Sequence, residues 1–83
     1  MRSYIHSQED AVDKQFGRWL RDHRVNVLKL GLIEASELLG IESERLQRIE
    51  SGQKAVTKRE CLAFSGAYGI KFDLLLKRAL SNW

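Results

Sequence analysis

The sequence predicts an all-α fold, a compact bundle of five helices. Three observations carry this. Helix formers dominate the 83 residues and proline is absent. Apolar residues recur at intervals of three and four with no strand-like alternation. Single glycines, with no low-complexity run or internal repeat, punctuate the chain.

The first helix is expected to begin near Ser7 or Asp10. Ser7 and Asp10 have capping-pair spacing, and Glu9, Asp10 and Asp13 suit the positive end of a helix dipole. Val12, Phe16, Trp19, Leu20 and His23 then form one apolar stripe. Residues 1–6 read as a flexible N-terminal tail, and 7–83 as a single domain. Val25 to Gly31 reads as a connector, rich in apolar residues. A short helix follows over Leu32 to Leu39, closed by Gly40 where a left-handed residue is wanted. Another runs from Ser43 to Ser51, with acidic Glu42 and Glu44 at its start, and stops at Gly52. Gln53 to Val56 is a loop. Thr57 caps a fourth helix and Glu60 completes a capping box. Cys61, Leu62, Phe64, Ser65 and Tyr68 supply its inward face, and Gly69 ends it. The last helix covers about 72–82.

Composition narrows the function classes. No apolar run approaches the ~20 residues of a membrane span, and the first residues lack the apolar stretch of a secretory signal. One cysteine, Cys61, makes no internal disulfide, so a reducing, cytoplasmic setting is the expectation. Cys61, His6 and His23 lie too far apart to supply a zinc site, and no metal or other cofactor is expected. The net charge of +3 suits a nucleic-acid partner without demanding one. An enzyme is not expected: His6 falls in the tail, His23 on a core stripe, Cys61 on a packing face, and no glycine-rich phosphate loop is present.

The informative segment is Ala35-Ser36-x-x-Leu39-Gly40-Ile41-x-x-x-x-Leu46-x-x-Ile49-Glu50-x-Gly52. Small Ala35 and Ser36 let a second helix approach, Gly40 supplies a tight turn, and Ile41, Leu46 and Ile49 bury the next helix. Two short helices joined this way form a helix-turn-helix unit, whose second helix is free to enter a major groove.

From Phe16 to Leu75, about three-quarters of the chain, the sequence resembles the Cro/phage-repressor class of helix-turn-helix domains, also called the xenobiotic-response-element type. The resemblance rests on Phe16-Gly17, Arg24, Leu39-Gly40-Ile41, Ile49-Glu50-x-Gly52, Thr57, Tyr68-Gly69-Ile70 and Phe72-Asp73-x-Leu75. It implies a lambda-repressor-like domain that binds double-stranded DNA and regulates transcription, in the manner of phage or mobile-element circuits. Ser43, Glu44, Gln47 and Arg48 would then face bases, Arg45 a base or a phosphate, and Gln53, Lys54 and Lys58 phosphates. Arg24 and Glu50 would form a structural ion pair. The family's usual glutamine at the start of the second helix is replaced by Leu32. With Ile33 and Leu38 this leaves a second reading open: the same fold binding another regulatory protein as an antirepressor or antiactivator.

Phe72, Leu74, Leu75, Leu76, Ala79, Leu80 and Trp83 crowd the last twelve residues, more than one helix face can hold. Leu76, Leu80 and Trp83 are the expected dimer contacts if Leu75 and Ala79 pack inward, and the faces exchange roles in the reverse arrangement. A two-fold dimer would bind an inverted-repeat operator.

Overall fold

A computed structural model describes residues 14–79. The expected tail, the first-helix start and Val12, as well as Leu80 and Trp83, lie outside the described residues. Within them the chain is all-helical. Helix α1 occupies 14–22 and continues as a π-helical turn over His23–Val27. It is followed by α2 (Leu32–Leu39), α3 (Ser43–Glu50), α4 (Lys58–Tyr68) and α5 (Phe72–Ala79). None of these is long and apolar enough to cross a membrane.

One cluster holds the elements together: Phe16 and Leu20 from α1, Ala35 and Leu39 from α2, Leu46 and Ile49 from α3, Phe64 and Tyr68 from α4, and Leu75 from α5, with Ile41 and Ile70 from the turns. Helices α1 to α4 each contribute residues three or four apart, which share a face. Helix α2 packs on α3 and α4, and α4 packs on α5. Phe64 meets Tyr68 edge-on with ring centroids 5.2 Å apart. Arg78 lies over the Trp19 ring, 4.5 Å from its centroid. Helix α1 reaches the C-terminal end of α3 through Gly17, where any Cβ would run into the backbone carbonyls of Ile49 and Glu50.

The connector expected over Val25 to Gly31 is shorter than the sequence suggests. Its first part belongs to the π-turn, closed by the Leu28 N–H donating to the His23 carbonyl at 2.9 Å. The wider turn keeps Arg24 facing inward while Val27 faces solvent. Lys29 then takes a positive φ of 58°, strained for a residue with a side chain, and breaks the helix.

Leu62 also departs from expectation: it is exposed. Cys61, Phe64 and Tyr68 define the inner face of α4, and Leu62 sits about 100° around the helix from Cys61. In α5 it is Leu75 that is fully buried. Leu76 and Ala79 are half-buried and Leu74 is exposed.

Candidate nucleic-acid interface

The geometry of α3 begins with the turn before it. Gly40 ends α2 at φ 71°, ψ 27°, a left-handed conformation that a residue with a Cβ adopts at a cost. Its N–H and that of Ile41 both donate to the Ser36 carbonyl, at 2.9 and 3.1 Å. Only Ile41 and Glu42 then separate Gly40 from α3, so the two helices meet at a sharp, hydrogen-bonded corner. Ile41 is buried and anchors that corner.

Leu46 and Ile49 are 0% and 1% exposed, which fixes the rotation of α3 about its axis. Gln47, Arg48 and Glu44 consequently face solvent, and Ser43 is half-buried at the first turn. Arg48 Nη2 donates to Glu44 Oε2 at 3.4 Å, an exposed pair one helical turn apart. Glu44, Gln47 and Arg48 line a shallow cleft of about 250 Å³ together with Ser51 and Gln53.

The loop after α3 is tied to the same residues. The Arg48 carbonyl accepts from Gln53 N–H at 2.8 Å, from Lys54 N–H at 3.3 Å and from Ser51 Oγ at 3.1 Å. Gly52 adopts φ 82° to make this reversal. Gln53, Lys54, Lys58 and Arg59 are all exposed; Gln53 lines the cleft of Glu44, Gln47 and Arg48, whereas Arg59 lines a separate one with Glu42 and Arg45.

The resemblance implied that Arg24 and Glu50 pair, and the structure brings them together. Arg24 Nε donates to Glu50 Oε2 at 2.7 Å and Nη2 to Oε1 at 2.9 Å, while Nη1 reaches the Leu30 carbonyl at 3.0 Å. The two side chains are 9% and 4% exposed. Hydrogen bonding to Glu50 raises the Arg24 pKa above its ordinary value, more than burial lowers it. The pair joins the end of α1 to the end of α3 and packs near Tyr68, whose hydroxyl finds no hydrogen-bond partner among the described residues. Burial, reinforced by the Glu50 carboxylate, pushes that phenol up to about 12.

Arg45, expected at a base or a phosphate, has a partner within the fold that the sequence did not suggest. Its guanidinium, about one-third exposed, is held by Glu60. Nε donates to Glu60 Oε2, and Nη2 donates to Glu60 Oε1 at 2.8 Å and to the Ala55 carbonyl at 3.2 Å. Glu60 also accepts from Thr57 N–H at 2.9 Å, and Thr57 Oγ1 accepts from Glu60 N–H at 3.1 Å, the expected capping box. Burial pushes the Glu60 carboxyl up, but hydrogen bonds from Arg45 and Thr57 outweigh it and hold the group below its usual range. Arg45 therefore clamps α3 to the loop and to the start of α4. The capping box was legible in the sequence; the arginine fifteen residues earlier that completes it was not.

Helix α2 carries Leu32 half-buried, with Ile33 and Leu38 exposed on either side of Glu34 and Glu37. His23 stacks on Tyr68 with centroids 5.7 Å apart, and Cys61 is buried. Among the described residues no three His, Cys, Asp or Glu side chains gather as a metal site would need. In comparisons with protein-family models, curated proteins and solved structures, nothing matches this chain.

Proposed function

We propose that this chain is a sequence-specific DNA-binding regulator of transcription with a lambda-repressor-like helix-turn-helix, in which α3 enters the major groove. One observation carries the reading: burial of Leu46 and Ile49 turns Gln47, Arg48 and Glu44 outward on a helix anchored at both ends. The Gly40 corner holds its start, and the Arg24–Glu50 and Arg45–Glu60 pairs hold its body and end. Such side chains suit base edges: arginine matches guanine O6 and N7, glutamine matches adenine N6 and N7. Lys54 and Lys58, both exposed, would supply cations for the phosphates. A second copy docked through α5, where Leu74 is exposed and Leu76 half-buried, would present two such helices to an inverted repeat.

Selection of bound duplexes from a random pool tests this. An enriched palindrome supports class, symmetry and target together. Arg48→Ala should then weaken binding to that duplex by about 1–3 kcal/mol and relax preference at one base pair. Affinity should fall steeply with added salt. An unchanged binding curve for Arg48→Ala would refute the role given to α3.

The exposed Ile33 and Leu38, 59% and 57% accessible, favour a second reading, in which α2 binds another regulatory protein. That reading expects no specific duplex retention at moderate salt, and loss of partner binding on Leu32→Ser or Leu38→Ser.

A further inference from the structure

We infer that Glu44 and Arg48 act as one composite reader of a single G·C base pair, with guanine under Arg48, and that Glu44 sets the specificity there. The inference rests on the DNA-binding reading above and deepens it. The two residues stand one turn apart on the open face of α3 and are joined by the 3.4 Å contact from Arg48 Nη2 to Glu44 Oε2. Their side chains are 48% and 76% exposed, so nothing in the fold needs the pair. Arg45, the neighbouring arginine, is held by Glu60 and does not compete for the carboxylate.

The chemistry of the joined pair is specific. A guanidinium has five N–H donors, and the contact with Glu44 uses one of them. Two others remain for guanine O6 and N7. The second carboxylate oxygen of Glu44 remains an acceptor. Across the major groove a G·C pair offers N7 and O6 acceptors and then the cytosine N4 donor. Donor, donor, acceptor on the protein therefore meets acceptor, acceptor, donor on the DNA. An A·T pair places the thymine O4 acceptor where Glu44 would need a donor, and two acceptors repel. The pair also enters the groove with its charges cancelled, which leaves attraction to phosphates to Lys54 and Lys58.

Duplex selection with the full chain and its Glu44→Ala, Glu44→Gln and Arg48→Ala variants tests this, with circular dichroism confirming that each variant is helical. The wild type should enrich G·C at one position of its motif. Glu44→Ala should lower preference at that position about tenfold and leave the rest of the motif intact. Arg48→Ala should relax the same position. Glu44→Gln should retain part of the preference, because its carbonyl still accepts from cytosine N4. A Glu44→Ala profile identical to the wild type, or one that binds every sequence uniformly more tightly, overturns the composite reader and leaves the DNA-binding reading standing. So does relaxation of different positions by Glu44→Ala and Arg48→Ala. A wild type that enriches no motif overturns both.

Discussion

Removing Arg24 should destabilise this domain more than any surface charge change. The guanidinium makes three hydrogen bonds: two to Glu50, at 2.7 and 2.9 Å, and one to the Leu30 carbonyl at 3.0 Å. Arg24→Ala leaves Glu50, whose side chain is 4% exposed, as an unpaired charge inside the fold. Breaking a buried pair from one side costs about 3–5 kcal/mol. An 83-residue chain has about 4–12 kcal/mol of stability in total, at about 0.05–0.15 kcal/mol per residue. The variant should therefore be partly unfolded or lose at least about 12 °C in melting temperature, at about 4–8 °C per kcal/mol. The double variant Arg24→Met/Glu50→Leu removes both charges and fills similar volume. It should recover most of the loss, because well-packed apolar replacements of buried pairs are often neutral or better. Urea titration followed by circular dichroism measures all three proteins. Glu44→Ala, which breaks an exposed pair, is the contrast, with an expected cost of no more than about 0.5 kcal/mol. If Arg24→Ala costs under about 1 kcal/mol, Glu50 is reaching water and its burial is not what holds α1 to α3.

Three further outcomes are expected. Gly17→Ala should lower thermal stability by about 1–3 kcal/mol or more, since the added Cβ meets the backbone carbonyls of Ile49 and Glu50; Gly66→Ala, where a Cβ meets nothing within 4 Å, should instead raise it by about 0.5–1 kcal/mol. Tyr68 has its pKa raised from 10 to about 12 in the folded chain, so its contribution is complete below pH 10 and is lost as pH climbs to about 12. Two units correspond to about 3 kcal/mol, and urea midpoints of Tyr68→Phe should lack that alkaline loss relative to wild type. Cys61 is 1% exposed, and burial, with the nearby Glu60 charge, pushes its thiol up. A thiol reagent should therefore label the chain at the rate at which it unfolds, and fast labelling of the native protein would contradict this placement.

Much of the scaffold was legible because its signals are local. Gly40 and Gly69 follow the last apolar residue of a helix, and Thr57 stands three residues before Glu60, so each boundary is written within a few positions. Leu46 and Ile49 share a face by spacing alone. The features the sequence did not reveal had non-local or shapeless causes. An i-to-i+5 hydrogen bond leaves no periodic trace in sequence, so Val25 to Val27, the last three residues of the π-turn, read as the start of a connector. Arg45 on an exposed-looking helix looks like any solvent-facing cation, and only the docking of α3 against the start of α4 brings Glu60 to it. Leu62 is apolar beside buried Cys61, but helical geometry, not hydrophobicity, decides which of two adjacent residues faces inward.

The π-turn also says what a change in chain length would disturb. Leu28 donates to the His23 carbonyl across an extra residue, and the side chains between them at Val25, Asn26 and Val27 are exposed. Deleting Asn26 would bring the same donor and acceptor to α-helical spacing, but Leu28 and Leu30 pack against the core just beyond, and the Leu30 carbonyl accepts from Arg24. The extra residue at the end of α1 therefore sets the reach from Arg24 to the Leu30 carbonyl, and a change of length there would be felt at the Arg24–Glu50 clasp that ties α1 to α3.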